Sequence, residues 1–315
     1  MIFDDIRDDI RLEDLLGKDT VKLHNAAALI HDTDPFSRRI GKVGSTMKLG
    51  ITACIHGNEP VGLKVIDWLL QNDKHLGIEV RYSIGNPFAT LKLIRDTGTN
   101  MNRMFPGRIE GCYEEQQAYR VMQAMEGVNL YIDFHSTTRS APPFIVFVKG
   151  RDAKKLIKAT GLESVVVYPE QESGKGYAGM ISLQAVADAY GAAVIAIECG
   201  RHTAQETFIT GLAIIQNVLR SYDVFDGKPP TEVLQNMYSD LNVLYETEPG
   251  MRINPEIQEF QYVKKGTIVA YGEKNLVASF DFYPIIIDYY DFQREGKEGE
   301  KSLMLVAKLR NQIPD

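Results

Sequence analysis

Between residues 47 and 222 the chain alternates short apolar runs with longer stretches in which apolar positions recur every three to four residues. Residues 47–55, 78–84, 130–134, 144–148, 165–168 and 194–197 are predicted strands. The last is a continuous apolar run of the kind that buried strands carry. Residues 60–70 are predicted helical, with Val61, Val65, Ile66, Leu69 and Leu70 at helical spacing. Helical patterns also cover 114–125, 153–159, 181–189 and 205–219. Strands alternating with helices imply an α/β layer structure around a sheet.

The pattern changes after Asp226. Gly227-Lys228-Pro229-Pro230 is a turn or linker signal. Beyond it lie short β-type runs at 241–245, 259–263, 267–271, 276–280 and 284–289, punctuated by Gly and Pro. The expected organisation is therefore an α/β domain over 1–226 followed by a smaller all-β domain over 227–315.

A chain of 315 residues is long enough to bury a core without staples. Its formal net charge is -7, and no basic block of the kind that grips phosphate backbones occurs, which argues against nucleic acid as a partner. Cys54, Cys112 and Cys199 form no CxxC pair and no even-numbered framework, so a reducing compartment is expected. The first sixteen residues carry six acidic side chains and lack the basic and apolar regions of a signal peptide. No apolar run reaches the ~18–20 residues a membrane span requires. These features together predict a cytoplasmic protein with no membrane partner.

Four segments carry side chains capable of chemistry. In Ile55-His56-Gly57-Asn58-Glu59-Pro60, an imidazole and a carboxylate three residues apart can converge on one ion if a strand turns sharply into a helix. Gly57 would allow that turn through its backbone freedom, and Pro60 suits a first helical position. An ordinary surface loop would read the same way. In Tyr131-Ile132-Asp133-Phe134-His135, His135 ends a buried run, and Asp133 falls on the same strand face, where it can orient the imidazole. A core histidine with a backbone partner is the plainer alternative. Taken together, His56, Glu59 and His135 supply two nitrogens and a carboxylate, the set that catalytic zinc takes while leaving a position for water.

The third segment runs from Gly85 to Gly107 and contains Arg95, Asn102 and Arg103. A guanidinium matches a carboxylate in a bidentate fork, Asn102 can add a hydrogen bond, and Arg95 could polarise a carbonyl. A solvated loop with incidental arginines is the alternative. The fourth is Glu198, directly after five apolar residues, where a bare carboxylate is costly unless it serves as a general base. Pairing with Arg201 would also explain it. A separate match to GxGxxG, at Gly174, Gly176 and Gly179, suggests a dinucleotide fingerprint. The intervening residues 169–173 detach it from its strand, and that reading leaves His56, Glu59 and His135 unexplained, so a substrate loop is preferred.

The ordered set His56-Gly57-Asn58-Glu59, Asn86-Pro87, Asn100-Met101-Asn102-Arg103, Asp133-Phe134-His135 and Glu198-Cys199-Gly200 resembles the succinylglutamate desuccinylase/aspartoacylase family, a branch of the zinc carboxypeptidase fold. The likeness covers about residues 47–290. It implies a zinc carboxypeptidase-like α/β/α sandwich around a mixed sheet, with a C-terminal β domain capping the active site. It implies one zinc per chain on His56, Glu59 and His135, with Glu198 as general acid/base and Arg95 polarising the carbonyl. Asn102 and Arg103 would grip a substrate carboxylate, and Tyr289 would reach the substrate from the cap. The implied activity is hydrolysis of the amide bond of a small N-acyl amino acid. A carboxypeptidase acting on short peptides is the alternative, and a homo-oligomer is compatible with either. Where aspartoacylases carry an arginine for the side-chain carboxylate, this chain has Asp188, with Arg139, Lys175 and Arg201 as substitutes.

Overall fold

The computed structural model describes residues 36–139, 141–148, 152–168, 181–248, 250–287 and 303–310. In chain order these form β1 (Ser37–Gly41), β2 (Lys48–Ala53), α1 (Val61–Gln71), β3 (Glu79–Ile84), α2 (Pro87–Lys92), α3 (Tyr113–Ala124), β4 (Leu130–Thr137), β5 (Phe144–Val148), α4 (Lys154–Thr160) and β6 (Ser164–Tyr168). There follow α5 (Ile181–Tyr190), β7 (Ala193–Arg201), α6 (Gln205–Ser221), β8 (Asn236–Glu246), β9 (Arg252–Ile253), β10 (Ile268–Tyr271), β11 (Leu276–Val277), β12 (Tyr283–Ile287) and β13 (Leu303–Arg310).

Ten strands build one mixed sheet in the order β1-β3-β2-β4-β7-β5-β6-β8-β13-β12. The pairs β3/β2, β2/β4 and β4/β7 are parallel, and β5 reverses direction against β7. The alternation of side chains along each central strand supplies both faces of the sheet. Ile132, Phe134, Ile195 and Ile197 pack with α1 and α6 residues such as Val65, Leu69, Ile214 and Val218. Tyr131, Val194 and Ala196 pack on the other side with Val121 and Met122 of α3 and Leu183 and Val186 of α5. Burying each such aliphatic side chain contributes about 1.5–3 kcal/mol. The result is the expected α/β/α sandwich around a mixed sheet, with C-terminal β strands.

β8 pairs in parallel with β6 from Ser164↔Asn236 to Val167↔Ser239, so the C-terminal strands β8, β13 and β12 extend the same sheet. β9, β10 and β11 make a separate three-stranded sheet. Residues 259–263, expected as a strand, contribute only the isolated bridge Val263↔Phe282. In their place Phe260 inserts its ring against Phe144 and Tyr238.

The chain moves from β2 outward to β3 and then crosses to β4 on the other side of β2. That reversal of strand order makes the carboxyl ends of β2 and β4 a topological switch point, where open α/β sheets bind ligands.

Candidate active site

β2 ends at Ala53, and the chain enters α1 through a tight loop that carries His56 and Glu59. The backbone strain in that loop falls on Cys54, whose φ of 55° lies in the left-handed region. Gly57, expected to supply the turn through its backbone freedom, is needed for space instead. A Cβ there would lie 2.2 Å from the carbonyl carbon of Ala89 in α2. Pro60 sits just before the first helical residue and has no side-chain cap.

β4 continues past its apolar run and carries His135 within the strand. Its neighbour across the β4/β7 ladder is Glu198. His56, Glu59 and His135 are all buried, and their ligand-capable atoms lie within 4.8 Å of one another. Glu59 is the hub. Its Oε1 meets His56 Nδ1 at 2.9 Å and accepts from Arg95 Nη1 at 3.2 Å. Its Oε2 meets His135 Nδ1 at 2.8 Å and accepts from the Ser136 N–H at 3.2 Å. Both imidazoles therefore turn Nδ1 to a common point and keep Nε2 for an outer partner.

Those outer partners suit a metal site, because a ligating imidazole needs an acceptor for its other N–H. His135 Nε2 lies 3.0 Å from Asp133 Oδ2, an ion-pair contact whose angle falls outside hydrogen-bond geometry. His56 Nε2 lies 3.3 Å from Asn100 Oδ1 and 3.0 Å from Arg95 Nη2. These two neighbours favour opposite tautomers of His56: the guanidinium needs a bare Nε2, whereas the amide oxygen needs Nε2–H. With Nε2–H held by Asn100, Nδ1 is bare and can ligate. Two imidazole nitrogens and one carboxylate, aimed at one point and backed in this way, fit a catalytic zinc.

Electrostatics follow from burial and close charge. Burial raises the pKa of Glu59, but His56 and His135 outweigh it and hold the carboxyl well below its usual range. Burial and Arg95 push His56 down to about 3. Burial also disfavours charge on His135, yet Asp133 and Glu59 on either side raise it well above its usual value. Burial pushes Glu198 up to about 8, with His135 pulling the other way. Glu198 Oε2 is buried without a hydrogen-bond partner among the described residues, so the alternative of a Glu198–Arg201 pair finds no support there.

The loop after α2 brings Arg95, Asn100, Asn102 and Arg103 to the same end of the sheet. Glu114 of α3 staples it by accepting from the N–H groups of Thr97 and Gly98 at 3.1 and 3.0 Å and from the Thr97 hydroxyl at 2.5 Å. Asn102 is buried, and its Oδ1 accepts from the N–H of Ser182 at the start of α5. Ser182 Oγ in turn donates to Asp133 Oδ2. Arg103 is half-buried, with Nη1 3.4 Å from the Asn102 carbonyl. Asp188 and Arg139 are exposed and Arg201 half-buried. Tyr289, Lys175 and the glycine-rich segment 174–179 lie outside the described residues.

The partners of three residues of this constellation carry no local sequence signal. Asn100 reaches His56 across 44 positions. Ser136 and His202 join each other across 66. Only the pairing of β4 with β7 brings the latter two together.

Residues 45–222 match the family model described as "Succinylglutamate desuccinylase/Aspartoacylase catalytic domain". A curated succinylglutamate desuccinylase from Ectopseudomonas mendocina is 22% identical over 253 residues, covering 71% of this chain and 73% of the relative. Among solved structures, a succinylglutamate desuccinylase/aspartoacylase from Rhodobacter sphaeroides aligns with a TM-score of 0.67 at 16% identity, over 85% of this chain and 87% of that one. The product-bound ectoine utilization protein EutE from Ruegeria pomeroyi aligns with a TM-score of 0.69 at 18% identity, over 86% and 88%. Among the described residues no helix is long and apolar enough to cross a membrane.

Proposed function

The chain belongs to the succinylglutamate desuccinylase/aspartoacylase family, and from that premise we propose that it is a zinc-dependent hydrolase cleaving the amide bond of a small N-acyl amino acid. The observation that carries this reading is the convergence of His56, Glu59 and His135 within 4.8 Å, beside a buried Glu198. A bound zinc supplies Lewis-acid activation of water and of the scissile carbonyl. His56 and His135 would hold it through Nδ1 and Glu59 through its carboxylate.

The chain's own groups divide the remaining work. Glu198, raised toward neutral pH, can take a proton from the attacking water and return it to the leaving amine. Arg95, already within 3.2 Å of Glu59, is close enough to stabilise negative charge developing on the carbonyl oxygen. Asn102 and Arg103 would grip the substrate carboxylate and hold the bond in register. The 226/227 boundary between a catalytic and a capping domain belongs to this proposal, with Tyr289 reaching the substrate from the cap. Its support is the contact of Phe260 with Phe144, whose register partner across the sheet is Glu198. A cytoplasmic compartment belongs to the same proposal.

The test is hydrolysis. Zinc-loaded protein should release free amine from one or more members of a panel spanning N-succinyl and N-acetyl derivatives of acidic, basic and neutral amino acids. Release of C-terminal residues from short peptides, with the whole N-acyl panel untouched, would contradict the proposal.

A further inference from the structure

Ser136 and His202 lie beside the triad and belong to none of the roles assigned above. Their meeting depends on an irregularity in the β4/β7 ladder. His135 pairs with Glu198, but Thr137 pairs with Arg201, so three steps along β7 oppose two along β4. This is a bulge, a feature that re-aims side chains next to active sites. Gly200 lies within it at φ 115°, and a Cβ there would be 3.0 Å from Thr207 Oγ1. Thr207 Oγ1 donates to the Arg201 carbonyl at 2.6 Å and pins the bulged strand to α6. Just beyond, the His202 N–H donates to the Thr137 carbonyl at 2.9 Å, and His202 Nδ1 shares a 2.8 Å hydrogen bond with Ser136 Oγ.

Ser136 matters because of its own N–H. Four donors surround the Glu59 carboxylate: two imidazoles, Arg95 and the Ser136 N–H. The imidazoles must present bare nitrogens to ligate an ion, so they cease to donate to Glu59. Arg95 is cationic and its side chain is 20% exposed, so a cation nearby would repel it and solvent leaves it room to move. The Ser136 N–H is uncharged and fixed in a strand. It is the one of the four that can stay on Glu59 while Glu59 ligates. Whatever fixes Ser136 therefore fixes the carboxylate.

We infer that His202 is a positioning residue for the metal ligand Glu59, acting through the hydroxyl and backbone N–H of Ser136. The inference rests on the metal reading of the triad. The imidazole is suited to the task because it stays neutral: burial pushes His202 down to about 4, with nearby Arg95 and Arg201 adding to that shift against the pull of Glu59. A neutral tether adds no positive charge beside the incoming cation.

The experiment is a competition titration of zinc against a chromophoric chelator at pH 7.5. It compares the wild type, Ser136→Ala, His202→Ala and the double variant, with thermal melts of the chelator-stripped proteins alongside. Ser136→Ala keeps the backbone N–H and removes only the tether, so it stands as the mild variant if His202→Ala folds poorly. Each single variant should bind zinc about tenfold more weakly, at the lower end of the range for outer partners of ligands. The double variant should be no weaker than the singles, because one path is cut twice. The visible spectrum of the cobalt-loaded protein should change in both single variants. Unchanged affinity in folded Ser136→Ala, or losses that add in the double variant, would overturn the inference. So would a loss of melting temperature in stripped protein with no change in affinity, since that marks a purely structural role. A wild type that takes up no zinc would instead overturn the metal reading itself, and this inference with it.

Discussion

Glu79 and Glu198 are both buried carboxylates on parallel strands of one sheet, Glu79 where β3 begins and Glu198 near where β7 ends. At the first end every oxygen is matched. Glu79 Oε1 accepts from Arg81 Nε at 2.7 Å and Oε2 from the Gly44 N–H at 2.6 Å. Burial pushes this carboxyl up, but those two donors outweigh it and hold it below its usual value. At the second end Glu198 Oε2 has no partner among the described residues, and burial pushes the carboxyl up to about 8. The cost of burying charge is met by pairing at one end and left standing at the other, more deeply enclosed end. Glu79 is satisfied within the fold; Glu198, which like Asp96 and Asp133 has a buried oxygen without a hydrogen-bond partner among the described residues, lies beside His135, at the end where this fold class binds ligands.

The comparison can be broken by substitution. The largest effect is expected for His135→Ala, which should lose bound zinc and turnover together when metal content and amine release are measured on the same sample. Glu198→Gln keeps the shape but cannot accept a proton, so kcat should fall by ~10²–10⁴-fold. Zinc should remain near one per chain. If Glu198→Gln strips the metal, Glu198 is a ligand; if turnover survives, the base lies elsewhere.

Glu79→Ala should behave in the opposite way. It leaves buried Arg81 without its carboxylate and with only the Glu126 carbonyl as partner among the described residues, so denaturant unfolding should register a loss of about 3 kcal/mol. Zinc content and kcat of the folded fraction should stay at wild-type levels. A fall in kcat comparable with that of Glu198→Gln would erase the distinction between the two ends.

The smallest and most diagnostic effect is in pH. In chelator-treated protein, native Glu198 keeps its proton up to about 8, whereas the unfolded chain loses it near 4.5. The native state binds more protons in that window, so stability falls as pH rises through it. Glu79 has a lowered pKa, so its contribution is present above 4.5 and is lost as pH falls below that value. Melting temperature against pH should therefore lose part of its alkaline decline in Glu198→Gln and part of its acid decline in Glu79→Gln. Identical profiles for the two variants would contradict the contrast.

Much of this is legible in the sequence because the residues of interest end apolar runs. Val194–Ile197 and Leu130–Phe134 mark buried strands by composition alone, and the residues directly after them, Glu198 and His135, inherit a location. β1 and α2 leave no such mark, whereas β13 carries one, the apolar run Leu303–Ala307, that the predicted strands omit. β1 alternates too few apolar residues to stand out, and α2 is a six-residue helix set by Asn86, whose side chain accepts from the Ala89 N–H. The role of Gly57 is hidden because its constraint comes from Ala89, a residue 32 positions away whose approach no local pattern reveals. The partners of Asn100, Ser136 and His202 are hidden for the same reason: they are set by the ladder between β4 and β7 and by the loop that Glu114 staples.

The central claim is that His56, Glu59 and His135 hold one zinc with Glu198 free of it. The most direct measurement is an anomalous difference map from crystals of the zinc-loaded protein, recorded on both sides of the zinc edge. One peak per chain should appear among these three residues, with ligand atoms ~2.0–2.2 Å from it and the Glu198 carboxylate outside bonding distance. A peak elsewhere, no peak at all, or a bond to Glu198 would contradict the account.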